Sequence, residues 1–258
     1  MSRLALTSLC LAVFSLTGCA TVLVQRDKAA QVKSVAIIGF TGVTQLEDKN
    51  APKSGIGNMI NASRNVAELS SGELEARRVA QAATAYQLLE KQLEATTGWK
   101  VADRAQVAAD DGIKGMLHDN PNTDSVRVTG LQRLPDVLRA EVAEQLLPSQ
   151  RAELCKRLGV DAVAIAKVRY VIGDKGGFAL GGIGKTTIYP KAIVDFQVLD
   201  GGAQPIWRDR NAEGAPTKEG LENVMGAKSD ENETQVLVAA ADSAFGKLVE
   251  RYKAQPNP

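Results

Sequence analysis

Residues 32–40 (VKSVAIIGF) form a compact β-branched run closed by Gly39 and Phe40, the pattern of a buried strand. A longer periodicity begins after Ser70-Ser71-Gly72-Glu73, where Ser70 and Glu73 make a capping-box pair. From there Val79, Ala82, Tyr86, Leu89 and Leu93 recur at steps of three and four, so the spacing predicts one amphipathic helix to about Thr97, stopped by Gly98. Trp99 to Ala102 reads as a short strand, and Asp103 as the cap of a short helix through Ala109. Two helices, 134–147 and 149–158, follow with Pro148 between them and Gly159 closing the second. Asp161 to Ile172 is a strong strand. It is apolar on both faces through Ala166, and Lys167 and Arg169 then alternate with Val168 and Tyr170, as if it passed from a buried centre to an exposed rim. Thr186 to Leu199 alternates again, Asp200-Gly201-Gly202 turns into a strand near 206–209, and 234–253 closes the chain as an amphipathic helix. Residues 41–71, 110–130 and 212–229 lack a sustained period and read as long irregular segments, with Asp110-Asp111 as a turn.

Strand, helix, strand, helices, a three-strand meander and a last helix imply an α/β fold: a single mixed β-sheet with packed helices, an α/β sandwich. Ile37, Leu89, Val163, Ile165 and Phe196 are expected to share one core.

The first 18 residues follow a different rule. Arg3 precedes an apolar run from Leu4 to Leu16, too short to span a ~30 Å hydrocarbon core, which needs about 20 residues. A basic start, a short apolar middle and a small residue before a cut describe a secretory signal. Leu16-Thr17-Gly18-Cys19 resembles the lipobox of bacterial lipoproteins. That resemblance implies cleavage between Gly18 and Cys19, a diacylglycerol on the Cys19 thiol and an acyl chain such as palmitate on its amino group. Two or more chains anchor a protein stably without a transmembrane helix. Ala20 stands where Asp would mark inner-membrane retention, so the resemblance implies the periplasmic face of an outer membrane. Residues 19–31 read as a lipid-anchored tether of at most about 40 Å, and 32–258 as one periplasmic domain.

Charge and cysteine usage narrow the partners. Of 31 Lys+Arg, Arg3 leaves with the signal, which balances the remainder against 30 Asp+Glu. Neither nucleic acid nor anionic lipid is indicated by a basic excess. Cys155 stands alone once Cys10 is removed and Cys19 acylated, so no internal disulfide forms. With His118 the single histidine, a transition-metal site is not expected, nor a cofactor beyond the lipid on Cys19.

Three segments resemble the periplasmic lipoproteins of the curli-secretion lipoprotein and penicillin-binding-protein activator superfamily. They are Lys33 to Phe40, Trp99-Lys100-Val101-Ala102-Asp103-Arg104 with the helix end before it, and Leu154 to Val163 around Leu158-Gly159-Val160-Asp161. The resemblance implies an α/β sandwich beneath the outer membrane that binds proteins and is not an enzyme. It also implies an unidentified envelope protein as partner, with a homo-oligomer as a further option.

Candidate chemistry gathers in the glycine-rich stretch Gly173 to Gly184. Gly176, Gly177, Phe178, Leu180, Gly181, Gly182, Ile183 and Gly184 form a candidate partner-recognition loop, because glycines let backbone approach a partner closely. Ala179 to Thr186 also fits a permissive phosphate-loop pattern, but the helix such a loop needs is replaced by β-branched, proline-containing sequence. The flanking strands are long enough for a membrane hairpin, which keeps a curli-type secretion pore as the alternative function and a nucleotide-binding protein as the third. His118-Asp119 reads as a solvated loop and Cys155 as a small core residue. The leading expectation is a periplasmic protein-binding adaptor or assembly factor for the cell envelope.

Overall fold

The structure, a computed structural model, describes residues 22–47, 72–119, 131–180, 183–224, 227–228 and 232–256. Its centre is a parallel pair. Strand β2 (Ser34–Glu47) lies beside β5 (Ala162–Leu180) in register from Val35↔Ala162 to Val43↔Arg169, so the runs predicted at 32–40 and 161–172 belong to one sheet. β6 (Ile183–Asp200), β7 (Pro205–Glu213) and β1 (Val22–Val24) extend that sheet antiparallel on one side, and β3 (Lys100–Val101) adds in parallel on the other. The order is β1-β7-β6-β5-β2-β3. β4 (Leu131–Gln132) pairs with the far end of β2, β8 (Leu221–Val224) pairs with β6, and β9 (Ala227–Lys228) pairs with β8. The fold is a mixed open sheet with packed helices, as the element order predicts.

Helices cover both faces. Ala162, Ala164, Ala166, Val168 and Tyr170 of β5 face α2 (Gly72–Thr97) and α7 (Glu233–Lys253), which contribute Tyr86, Leu89, Leu93, Phe245 and Leu248 to that cluster. Val163 and Ile165 face α3 (Arg104–Ala109), α4 (Asp111–Asp119), α5 (Ala140–Glu144) and α6 (Pro148–Leu158). The single expected core is therefore two: Ile37, Leu89 and Phe196 lie on one side, Val163 and Ile165 on the other. A strand apolar on both faces is what burial on both faces demands. At Gly39 the register slips by one residue, and a side chain there would stand 2.5 Å from the Ala143 methyl, so glycine seats α5 on the sheet.

Several local expectations change. β2 does not end at Phe40 but runs on through the first part of the expected 41–71 loop, held by β4. Asp110 is a cap rather than a turn, accepting from the Ile113 N–H and gripping Arg157 with both oxygens at 2.9 and 3.0 Å. Pro148 starts α6 instead of separating two helices, and the preceding helix shrinks to Ala140–Glu144. β7, β8 and β9 order much of 212–229. Ser70 lies outside the described residues.

Asp161 explains why the approach to β5 matters. Gly159 ends α6 in the left-handed region at φ 66°, which swings the chain toward the sheet. The Asp161 carboxylate then accepts from the Lys33 N–H (2.8 Å), the Ser34 N–H (3.0 Å) and the Ser34 hydroxyl (3.2 Å). These donors hold its pKa below the ordinary carboxylate value, led by the Lys33 amide. One side chain thus clasps the starts of two parallel strands far apart in sequence. Asp161→Ala should lower unfolding stability by about 1–3 kcal/mol in urea titrations, with the midpoint moving and the slope unchanged.

Glu90 on α2 is half-buried, and burial followed by the nearby Asp103 pushes its carboxyl up to about 7, against the pull of Arg104. Burial likewise raises Asp209, against its ion-pair partner Arg251 at 3.1 Å, to about 6. A raised folded pKa means a contribution present below about pH 4 and lost as pH rises through 6 to 7. Glu90→Gln should therefore raise the Tm at pH 8 and leave it nearly unchanged at pH 4, in thermal melts at matched ionic strength.

Candidate functional site

The Gly173–Gly184 stretch is mostly strand. The β5–β6 ladder runs unbroken except for one bulge beside Gly173, from Ala162↔Asp200 out to Leu180↔Ile183. Gly181 and Gly182 lie outside the described residues. Glycine is a poor strand former, so the sequence here reads as loop. Its partners supply the propensity across the ladder: Gly176 pairs with Thr187, Gly177 with Thr186 and Lys175 with Ile188. Because β6 occupies the place of the helix a phosphate loop needs from Ile183 onward, Lys185 and Thr186 sit in a strand and this stretch does not form a phosphate loop.

Much of this hairpin stands beyond the body. Pairing of β5 with β2 stops at Val171↔Glu47, and pairing of β6 with β7 begins at Ile193↔Glu213. About nine residues of each strand lie past those points, a ribbon of about 30 Å at ~3.3 Å per residue. β8 lines its β6 side at Lys185 to Ile188, whereas no described strand pairs with the outer edge of β5 there.

Close backbone packing supports the ribbon's base. A side chain on Gly173 would meet the Tyr189 carbonyl at 2.8 Å and the Pro216 ring at 3.0 Å. The Thr217 N–H donates to the Pro190 carbonyl at 2.8 Å. Gly214 lies against α7, where a side chain would stand 2.6 Å from the Ala244 nitrogen, and the next amide donates to the Ser243 hydroxyl at 2.9 Å. The segment 214–220 is thereby fastened to the last helix at one end and the ribbon at the other.

Charged groups ring the same end of the sheet. Lys167 pairs with Glu141, which also accepts from the Thr41 hydroxyl at 3.0 Å. Burial works to raise the Glu141 carboxyl, but Lys167 and Thr41 outweigh it and hold it below its ordinary value. Arg169 reaches Asp195 at 3.4 Å and Asn211 at 2.9 Å, and Lys191 pairs with Glu213. Asn211, at φ 59°, donates its N–H to Asp195. On the opposite face Gln132 donates to Gln81 at 2.6 Å, and Gln81 to Thr234 at 3.1 Å. Gly42 leaves room for that Gln132 side chain. These pairs rigidify the base from which the ribbon departs.

The remaining candidates are scattered. His118 is exposed on α4 rather than in a loop, and its neighbour Asp119 points elsewhere on the helix. Cys155 is buried beneath α6, its thiol pushed up to about 11 by burial. Gly18 and Cys19 lie outside the described residues. The expected tether is largely structured: β1 pairs with β7, and α1 (Arg26–Ala29) packs behind it. Arg26 donates to the Tyr252 and Gln255 carbonyls and stacks 4.2 Å above the Tyr252 ring. Trp99 donates its indole N–H to the Ala29 carbonyl at 3.1 Å. Nothing periodic marks residues 22–31, so only the register of β1 reveals them. Among the described residues no helix is long and apolar enough to cross a membrane.

No family model matches the chain, and no curated protein is recognisably similar in sequence. Among solved structures, lipoprotein GNA1162 from Neisseria meningitidis is similar over 86% of this chain and 99% of that one, at 12% identity and a TM-score of 0.24. A likeness that low carries no argument about function.

Gly173→Val tests the ribbon's support. Its methyl groups cannot fit beside the Tyr189 carbonyl and Pro216, so amides of 172–176 and 187–191 should lose hydrogen-exchange protection while those of β2 and α2 keep theirs. Unchanged protection would mean that the ribbon does not depend on this contact.

Proposed function

We propose that the protein is a lipoprotein anchored through Cys19 in the outer membrane, where it acts as a protein-binding adaptor or assembly factor for the cell envelope, with the β5–β6 ribbon as its recognition element. The lipobox-like Leu16-Thr17-Gly18-Cys19 supports the anchor. The observation that carries the recognition role is the ribbon: a strand pair reaching about 30 Å from a braced base, with one edge that no described strand covers. An open strand edge recognises an extended segment by backbone hydrogen bonds, and flanking positions select its side chains. Glycine at 176 and 177 lets that segment approach closely. The resemblance to the curli-secretion and penicillin-binding-protein activator lipoproteins points the same way, toward an envelope protein as partner. The reading requires neither a cofactor nor catalysis.

The ribbon's length favours one second reading. Nine to eleven residues per strand also suit a membrane β-strand, so several copies contributing ribbons to a shared barrel remains the alternative.

One variant separates the two. Replacing Gly176–Thr187 by Asn-Gly closes the hairpin between the paired Lys175 and Ile188. With the body intact by circular dichroism, loss of the partner captured by in-cell crosslinking supports the adaptor. Loss of a detergent-stable ring and of conductance in planar bilayers supports the pore. Unchanged capture and no conductance in either form overturns the recognition role.

A further inference from the structure

The short distance between the lipidation site and the first strand has a mechanical consequence. A tether through residue 31 would let the domain hang about 40 Å from the bilayer. Instead the chain is already in the sheet at Val22, paired with Asp209, so only two residues, a reach of at most about 11 Å, separate it from Cys19. That first strand is not easily peeled away. The Gln25 N–H donates to the Ile206 carbonyl at 2.8 Å, Arg26 caps the end of α7, and Ala29 is buried against Trp99. A lipid inserted in a leaflet at Cys19 must therefore draw the β1 edge of the sheet down to the headgroups.

The chemistry of that edge suits such a surface. Leu23 is one of two large apolar side chains exposed among the described residues, at 39%. Its antiparallel partner is Arg208, so both lie on the same face of the sheet. Arg210 is exposed further along β7, and neither arginine makes an ion pair among the described residues. An apolar side chain with one arginine opposite it and a second two residues further along β7 matches an acyl boundary beside lipid phosphates. The polarity of β1 adds direction. The chain enters it from the side of Asp209 to Glu213, which is also the side toward which the ribbon projects.

We propose that the β1–β7 edge is a membrane-contacting surface, with Leu23 set among the headgroups and Arg208 and Arg210 on lipid phosphates. The domain is then held edge-on with a fixed orientation, and its partners are met at the membrane. This inference rests on acylation of Cys19, the anchor in the function proposed above.

The test uses the full lipoprotein purified from membranes and placed in vesicles of phosphatidylethanolamine and phosphatidylglycerol carrying a headgroup nitroxide. A bimane dye is attached at Leu23→Cys or, on the opposite edge, at Lys100→Cys; the buried Cys155 thiol does not compete for label. Fluorescence should be quenched at position 23 and not at position 100. A flexible Gly/Ser linker of about twelve residues after Thr21, adding roughly 20 Å, should abolish the difference. Arg208→Glu with Arg210→Glu should weaken quenching at 23 without altering the fold. Equal quenching at the two positions in the lipidated protein overturns this inference alone. Self-crosslinking at 23 with no quenching assigns the edge to a second copy and also overturns it. A Cys19 peptide found without lipid by mass spectrometry removes the anchor and this inference together.

Discussion

The parallel pairing of β2 with β5 is the constraint on which the rest of the molecule depends. Parallel strands cannot be joined by a tight turn, so the intervening chain must cross over and cover a sheet face. Here the crossover supplies α2 on one face and α3 to α6 on the other. Both faces of the central strands are consequently buried, and the sheet continues antiparallel from β5 outward. The Asp161 carboxylate aligns the two strands at their starts, and the glycine at 39 admits α5 where the register slips. Remove the alignment and neither layer has a floor to pack on.

Away from that centre the helices give out and charged pairs replace apolar contacts. Lys167 and Arg169 continue β5 past Val163 and Ile165, and Lys191 stands on β6; each is matched by an acid, that of Lys167 being Glu141 at the margin of α5. Such half-exposed pairs add little stability individually. Here they link neighbouring elements where the hairpin leaves the body.

Two ends of the molecule thereby acquire distinct tasks in the proposed function. The β1 edge joins the fold to its anchor through a very short link, and the ribbon presents an open strand edge some distance from the helices. A domain on a long tether would search a volume for its partners. One held by its sheet edge, as proposed, would present the same face to the membrane at all times and would place recognition close to the bilayer plane.

The elements with strong local signals were legible in the residues themselves. Tyr86, Leu89 and Leu93 repeat with helical spacing, Ala162 to Ala166 read as a strand apolar on both faces and are buried on both, and Gly98 and Gly159 do adopt the left-handed helix stops expected of them, at φ 72° and 66°. The lipobox-like pattern around Cys19 is also local, but it lies outside the described residues. What tertiary structure alone decided were segments whose own preferences are weak. Gly176 and Gly177 become strand because Thr187 and Thr186 lie opposite, and Val22 to Val24 become an edge strand because β7 offers unpaired backbone beside them. The division of one expected core into two was equally hidden, since period alone does not say which helix lies on which side. In each case the stabilising partner is nine or more residues away, or the choice lies between two faces of equal hydrophobicity. Local sequence carries no term for either.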